Sequence, residues 1–347
     1  MSDQPNLEPV RRAALLATLH DLSQPPAFLA GAISTAARQT TANLRIILFS
    51  PSFNEATPTS DAPRGGIDLR SDRNEYSHAG HWHEVQRLLT FVYVQATKVA
   101  QDMGKVLMDI DVLLRGTEEQ FPEELIRDVE RTYCVTPPHP RFPALPASVQ
   151  ERTDVVSLKH DASPHFPHHP HPPPPSDPNL PSLFPVVALG GTFDHLHAGH
   201  KILLSMAAWI ASEKLIVGIT DDVLLKNKVN KEVLEKLPVR TARTRAFLEL
   251  FKAGLEYDIV PINDVYGPTA WDPNVQALVV SKETLPGAAA IHKLRAEKSL
   301  PSLETFVIDV ISSTEASVDD EDAEVLKNTK LSSTFIRQWI VEHPDAR

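Results

Sequence analysis

Between Thr136 and Leu183 the chain becomes closely spaced prolines interleaved with histidines, among them His165, His168, His169 and His171. Proline fixes φ and has no N–H to donate, so such a stretch favours extended polyproline geometry and cannot build a core. The histidines could bind a metal adventitiously, but a solvated spacer is the simpler reading. At 347 residues the chain also exceeds one ordinary domain. The expected organisation is an N-terminal unit over 1–136, a linker over 137–183 and a C-terminal unit over 184–347.

Hydrophobic residues make up 42% of the chain, so each unit can bury a core. The net charge is −11 and no basic stripe interleaves with aromatics, which argues against nucleic acid as a partner. The single cysteine, Cys134, excludes an intramolecular disulfide and a multi-cysteine zinc site and suits a reducing compartment. The N-terminus is acidic and polar, unlike a signal or transit peptide. No apolar run approaches the ~18 residues of a membrane span. A cytoplasmic protein with no membrane partner is expected.

In the N-terminal unit, strands are expected over residues 13–22, 43–50 and 106–114, and helices over 27–38, 84–103 and 122–134. That alternation predicts a smaller α/β domain. It has no Walker pattern and no Gly-x-Gly-x-x-Gly. His78, His81 and His83 with Glu84 could suggest a metal site, but a polar loop end ahead of a helix is the better reading.

In the C-terminal unit, strands are expected over 185–191, 214–220, 258–263, 277–281 and 304–311. Helices are expected over 197–211, 240–253, 286–298 and 332–343. This predicts an α/β, Rossmann-like parallel sheet with helices on both faces, where ligands bind beyond the carboxyl ends of the strands. Residues 315–330 read as a solvated acidic insertion.

The chemistry gathers at one such strand end. Val186–Lys201 reads as a buried strand, a Gly190-Gly191 turn and the start of a helix. A helix N-terminus offers unpaired N–H groups and a positive dipole end to a phosphate. Glycines let the backbone approach it. His197 and His200, at i and i+3, share one helix face and can donate to one phosphate. Thr192 is placed to orient an incoming nucleophile. A second corner reads Leu331-Ser332-Ser333-Thr334-Phe335-Ile336-Arg337. Ser332 or Ser333 would cap the last helix, Ser333, Thr334 and free N–H groups could hold phosphate oxygens, and Arg337 adds a forked cation. A plain capped helix with a solvated arginine is the competing reading.

GGTFDHLHAGHK (190–201) with SSTFIR (332–337) resembles the nucleotidylyltransferase superfamily of T/H-x-G-H type. The segments IVGITDDVLLKNK (216–228), VPINDVYGPTAWDP (260–273) and 279–311 narrow the resemblance to the phosphopantetheine adenylyltransferase domain of eukaryotic coenzyme A synthesis. That family adenylylates 4′-phosphopantetheine with ATP, giving dephospho-coenzyme A and pyrophosphate.

The resemblance implies that Thr192 and its neighbours Gly190, Gly191, Phe193 and Asp194 form the phosphopantetheine phosphate corner. It implies that His197 and His200 contact ATP phosphates, and that Lys226, or its rival Lys228, is a mobile phosphate-binding lysine. Arg240 would face the pantetheine side, and Ser281, Glu283 and Thr284 would line the nucleotide pocket. Ser332, Ser333, Thr334 and Arg337 would hold the β- and γ-phosphates. Magnesium is expected on the leaving phosphates, ligated mainly by ATP and water rather than by the protein.

The chain departs from the animal pattern at His195, where arginine is usual, and at Lys282, where glutamate is expected. It stops at Arg347 without a kinase domain, so it resembles the monofunctional fungal type. A separate dephospho-coenzyme A kinase is then an expected partner in the pathway. Rival readings are another superfamily member, acting on nicotinamide mononucleotide or as a cytidylyltransferase, and a scaffold for a coenzyme A-synthesising complex.

Overall fold

The computed structural model describes residues 7–54, 77–150, 155–161, 180–308 and 332–346. The first sheet comprises β1 (Val10–Thr18), β2 (Thr40–Phe49), β3 (Asp109–Arg115), β4 (Arg131–Val135) and β5 (Val155–Leu158), all parallel, in the order β3-β2-β1-β4-β5. Helices α1 (Ala30–Arg38) and α2 (Trp82–Asp102) make its crossovers, and a short α3 (Ala147–Gln150) precedes β5. The second sheet comprises β6 (Phe184–Gly191), β7 (Ala211–Thr220), β8 (Glu256–Ile262), β9 (Ala277–Ser281) and β10 (Glu304–Ile308), also parallel, in the order β10-β9-β6-β7-β8. Helices α4 (Ala198–Ile210), α5 (Leu237–Phe251), α6 (Leu285–Glu297) and α7 (Ser333–Glu342) accompany it. No helix among the described residues is long and apolar enough to cross a membrane.

Two expectations are corrected. Residues 122–134 are not a helix: Glu123–Leu125 makes one tight turn, and Arg131–Val135 is a strand. Thr132, Tyr133 and Val135 are buried there, and Tyr133 pairs with Leu15. β-branched and aromatic side chains pack well on a pleated surface, and that packing overrides the helical propensity of the acidic run before it. The stretch 137–183 is not linker throughout. Val155–Leu158 adds an edge strand, which needs a partner on one side only. The histidines at 165, 168, 169 and 171, the acidic insertion at 315–330, Leu331 and the end of the 304–311 strand lie outside the described residues.

The two sheets share one core. A single hydrophobic cluster contains Leu15, Ile46 and Val112 of the first sheet and Leu189, Val217 and Val279 of the second, with α2 and α4 between them. A smaller cluster covers the opposite face of the second sheet, where Ala188, Ile216 and Leu278 meet Ile291 of α6. β6 therefore alternates Val187 and Leu189 to one side and Ala188 to the other. Burial on both faces makes its sequence a continuous apolar run.

Polar grips join the sheets as well. The His78 ring stacks on Trp209 at 3.9 Å, its Nδ1 donates to the Trp209 carbonyl at 2.9 Å, and Trp209 Nε1 donates to the His78 carbonyl at 2.9 Å. His81 Nδ1 bonds the Ser77 carbonyl at 2.8 Å, so these histidines shape the entry to α2. Arg115, at the end of β3, donates to the Leu250 and Phe251 carbonyls at 2.7 and 2.8 Å, closing the C-terminus of α5. In the first unit the positive end of α1 is already taken. Asp161 accepts from the Gly31 N–H at 2.6 Å, so a carboxylate of the chain itself sits at that end.

A shared core predicts one cooperative thermal transition for the whole chain, measured by calorimetry. Arg115→Ala, which strands two helix-end carbonyls, should lower stability by about 1.5–3 kcal/mol without splitting that transition. Two resolved transitions would show that the sheets melt separately.

Candidate active site

Strand β6 leads through α4 to β7 on one side and is flanked by β9 on the other. The chain reverses its winding direction between β6 and β9, which opens a crevice beyond their carboxyl ends. Gly190, Gly191 and Thr192 stand at one lip, and Ser281 at the other. Ser281 and Thr284 form a capping box there: Thr284 Oγ1 accepts from the Ser281 N–H at 3.1 Å and donates to the Ser281 carbonyl at 3.0 Å. Glu283 and Thr284 are exposed beside it.

The loop from β6 to α4 is strained and heavily held. Phe193 and His195 have φ of 51° and 43°, the left-handed region that side chains disfavour. The Phe193 ring folds back beneath the glycine turn, where a Cβ at Gly191 would lie 3.0 Å from its Cζ. A side chain at 191 would therefore press on this buried ring, which would have to give by a few tenths of an ångström. Asp194 Oδ1 accepts from the Glu235 N–H at 2.9 Å, and its Oδ2 from Arg337 Nη1 at 2.6 Å. The Asp194 carbonyl accepts from Ser333 Oγ at 2.8 Å. The His195 N–H donates to Glu235 Oε2 at 2.9 Å, and its Nε2 to the Val233 carbonyl at 2.8 Å.

His197 is the N-cap of α4 and His200 lies in its first turn. Their rings stack at 3.9 Å, and the Phe193 ring lies 5.3 Å from His200. The Nδ1 of each is buried with no hydrogen-bond partner among the described residues. Orphaned buried polar atoms are rare and concentrate at functional sites. Burial disfavours the charged ring, so the pKa of His197 falls well below the ordinary value and that of His200 falls to about 4. Both are neutral imidazoles at pH 7.

The side chains of four residues expected at the ligand corner pack into the protein. Phe193, Asp194 and Arg240 are 0% exposed and Arg337 is 2% exposed. Arg240 donates to the Thr192 and Thr220 carbonyls at 2.6 and 2.9 Å, to the Glu235 carbonyl at 2.9 Å and to Asp222 at 2.5 Å. It ties the ends of β6 and β7 to the segment that follows. Arg337 serves Asp194, the Val229 carbonyl at 2.9 Å and Thr334 Oγ1 at 3.2 Å. With donors aimed at protein acceptors, these guanidiniums shape the site from behind. At the start of α7, Ser332 Oγ accepts from the Phe335 N–H at 3.2 Å, and Ser332 and Thr334 are exposed. Lys226 and Lys228 are both exposed on the segment after β7.

Sequence reasoning missed Glu235, Asp222 and Lys201. Nothing in the spacing of Asp222 or Glu235 marks them. Lys201 did carry a signal: it is the one lysine in a helix whose only other polar residues are His200 and Ser205. Asp194, His195 and Glu235 are close enough to hold a metal ion. The donor set does not fit one, because Asp194 serves Arg337, His195 Nε2 donates to a carbonyl, and Glu235 pairs with Arg243 at 2.8 Å.

Neutral burial makes these rings sensitive to acid. His78 and His200 are both lowered from 6.5 to about 4, chiefly by burial. Between those values the unfolded chain takes up protons that the folded one refuses, so stability falls as the pH drops through that window. Each ring contributes a slope of about 1.4 kcal/mol per pH unit there. Urea midpoints measured across the window should fall steadily with acid and be level above it with respect to these groups. Midpoints unchanged down to its lower end would show that the rings are not buried in neutral form.

The family model described as cytidylyltransferase-like matches residues 188–339, from the middle of β6 into α7. Phosphopantetheine adenylyltransferase of Saccharomyces cerevisiae is 45% identical over 157 residues, covering 45% of this chain and 49% of that protein. An uncharacterized Schizosaccharomyces pombe protein is 41% identical over 158 residues and 48% of its length. The chain thus spans about half the length of these two curated relatives. Phosphopantetheine adenylyltransferase of Pyrobaculum aerophilum is 35% identical over 164 residues, and there the match takes in 96% of the relative against 47% of this chain. That archaeal sequence is matched over almost its whole length, and on this ground the chain belongs to the phosphopantetheine adenylyltransferase family.

Proposed function

We propose that this chain transfers the adenylyl group of ATP to 4′-phosphopantetheine, giving dephospho-coenzyme A and pyrophosphate. The observation that carries the reading is the stacked, neutral His197–His200 pair at the mouth of the β6/β9 crevice, each ring with an orphaned Nδ1. The nucleophile is a phosphate monoester, already mostly dianionic at neutral pH, so no general base is needed. A phosphate oxygen attacks the α-phosphorus of ATP in line; the new P–O bond forms as the bond to the β-phosphate bridging oxygen breaks, and pyrophosphate leaves. Catalysis is then positioning and charge stabilisation.

In this reading Thr192 orients the attacking phosphate, and the Nε2 groups of His197 and His200 donate to the phosphates as charge develops. At Gly190 packing does not demand glycine, since the nearest atoms to a Cβ would be 3.6 Å away. Close approach of a phosphate explains it better. Ser281, Glu283 and Thr284 line the nucleotide side. Ser332, Ser333 and Thr334 offer the start of α7 to the leaving phosphates. Lys226 or Lys228 reaches in from its exposed segment. Asp194, Phe193, Arg240 and Arg337 are positioning residues that hold these groups in register. Magnesium accompanies ATP, with ligands from phosphate and water. The product calls for a dephospho-coenzyme A kinase as the next activity, and the single cysteine suits the reducing cytoplasm.

Incubation with ATP, magnesium and 4′-phosphopantetheine, with mass detection of dephospho-coenzyme A, tests the reading directly. Nicotinamide mononucleotide and CTP in place of each substrate test the rival superfamily chemistries, and turnover with either in preference would overturn it. His200→Ala should lower kcat by ~10²–10³, the loss typical for one donor to a developing oxyanion, with little change in folding. Near-normal turnover in that variant would remove the histidine from the mechanism.

A further inference from the structure

Lys201 follows His200 directly, and its N–H closes the first turn of α4 on the His197 carbonyl at 3.0 Å. Its side chain is 3% exposed and leaves the second sheet altogether. The ammonium lies against the start of β3, in the first sheet. There it donates to Asp111 Oδ1 at 2.6 Å, to the Ile110 carbonyl at 2.8 Å and to Asp109. Asp111 is itself held by Asn43 Nδ2 at 3.3 Å, and the Tyr93 hydroxyl accepts from the Val112 N–H at 3.1 Å just beyond it. The Phe247 ring of α5 lies 5.4 Å from the ammonium. Burial opposes the charge on Lys201, but the two carboxylates outweigh it and raise its pKa above the ordinary lysine value.

The other end of α4 is gripped from the same side, through the His78–Trp209 stack and its two hydrogen bonds. The helix that presents both histidines is therefore fixed at each end by the N-terminal unit. A bound ion pair alone is weak evidence for stability, because desolvation offsets most of its attraction. Its value lies in geometry: three acceptors converge on one ammonium and allow it one position.

We propose that Asp109 and Asp111 are positioning residues for the reaction, clasping Lys201 so that the first turn of α4 holds His197 and His200 in their productive stacking. The N-terminal unit is then a working part of the active site rather than an attached module. The proposal rests on the adenylyl-transfer reading for its kinetic consequences only.

The test uses the full chain with Asp109→Asn/Asp111→Asn. Displacement of catalytic groups by about an ångström costs on the order of 10²-fold, so kcat should fall by about 10- to 100-fold with KM for ATP little changed. Imidazole titrations followed by NMR give a readout that needs no substrate. The groups facing the histidine pair are His195, Asp194 and Lys201. Removing two carboxylates would by charge alone lower the histidine pKa values. Loosening of the turn admits water and raises them, so His200 should move up from about 4. Leu15→Ala, in the core of the first sheet, destabilises the same unit away from the clasp and should leave both readouts in place. Should the double variant fail to fold, Asp109→Asn carries the test, since that side chain is 57% exposed and its loss is milder. A folded variant with wild-type kcat and an unmoved His200 titration overturns the proposal, as does an equal loss of kcat in Leu15→Ala. If the wild-type chain makes no dephospho-coenzyme A, the functional reading falls, and the ring titrations still decide the clasp.

Discussion

The structure depends most on the pair between Asp194 and Arg337, closed at 2.6 Å with both side chains essentially out of solvent. It joins the glycine corner to the last helix across most of the C-terminal unit. Asp194 lies between Phe193 and His195, both with positive φ. Backbone in that region persists only where the surroundings over-determine it. The carboxylate does so by accepting from Arg337 and from the Glu235 N–H at once, while Glu235 in turn accepts from the His195 N–H. Removing either ion would leave the other buried and alone, an arrangement that typically costs about 3–5 kcal/mol, comparable to the roughly 1–3 kcal/mol stored at each strained residue. The corner is thus set before any ligand arrives, as an electrostatically preorganised site requires.

Much of this was legible in the residues, and the rest was hidden for definable reasons. Val186–Leu189 reads as a strand because both faces of β6 are buried, so no polar alternation interrupts it. Ser332 or Ser333 reads as a cap because a hydroxyl there is the acceptor that an N-terminus needs, and it is Ser332 that accepts from the Phe335 N–H. The arginines were harder. Arg240 and Arg337 stand beside ligand motifs, and a guanidinium in such a motif suggests an anion. Their partners are carbonyls of Thr192, Thr220 and Val229 and the carboxylates of Asp222 and Asp194, which only the fold brings near. At 122–134 the error has another cause. The strand there owes its existence to β1, which accepts it as a neighbour, and local propensity carries no knowledge of β1.

The neutrality of the histidine pair follows from the same construction. Two imidazolium ions stacked at 3.9 Å would repel, and burial penalises each further. A phosphate that approaches them reverses both effects, because it brings the opposite charge and an acceptor for Nε2. In the proposed adenylyl transfer the rings would answer charge as it develops, without holding a permanent cation that would bind the ground state equally well.

The proline-rich stretch suggested two separable units, and α4 argues against that on its own sequence. A surface helix of a lone parallel sheet shows an apolar stripe and a polar face. Ala198–Ile210 has no polar face: every residue except His200 is buried. Such a helix needs cover on the side away from its own sheet, and α2 with the first sheet supplies it. Once that cover is apolar, the lysine at 201 cannot reach water and must find carboxylates within the covering unit, which is where Asp109 and Asp111 lie. The need for a second layer, and the acids within it, is thus written in the composition of the helix that carries the site.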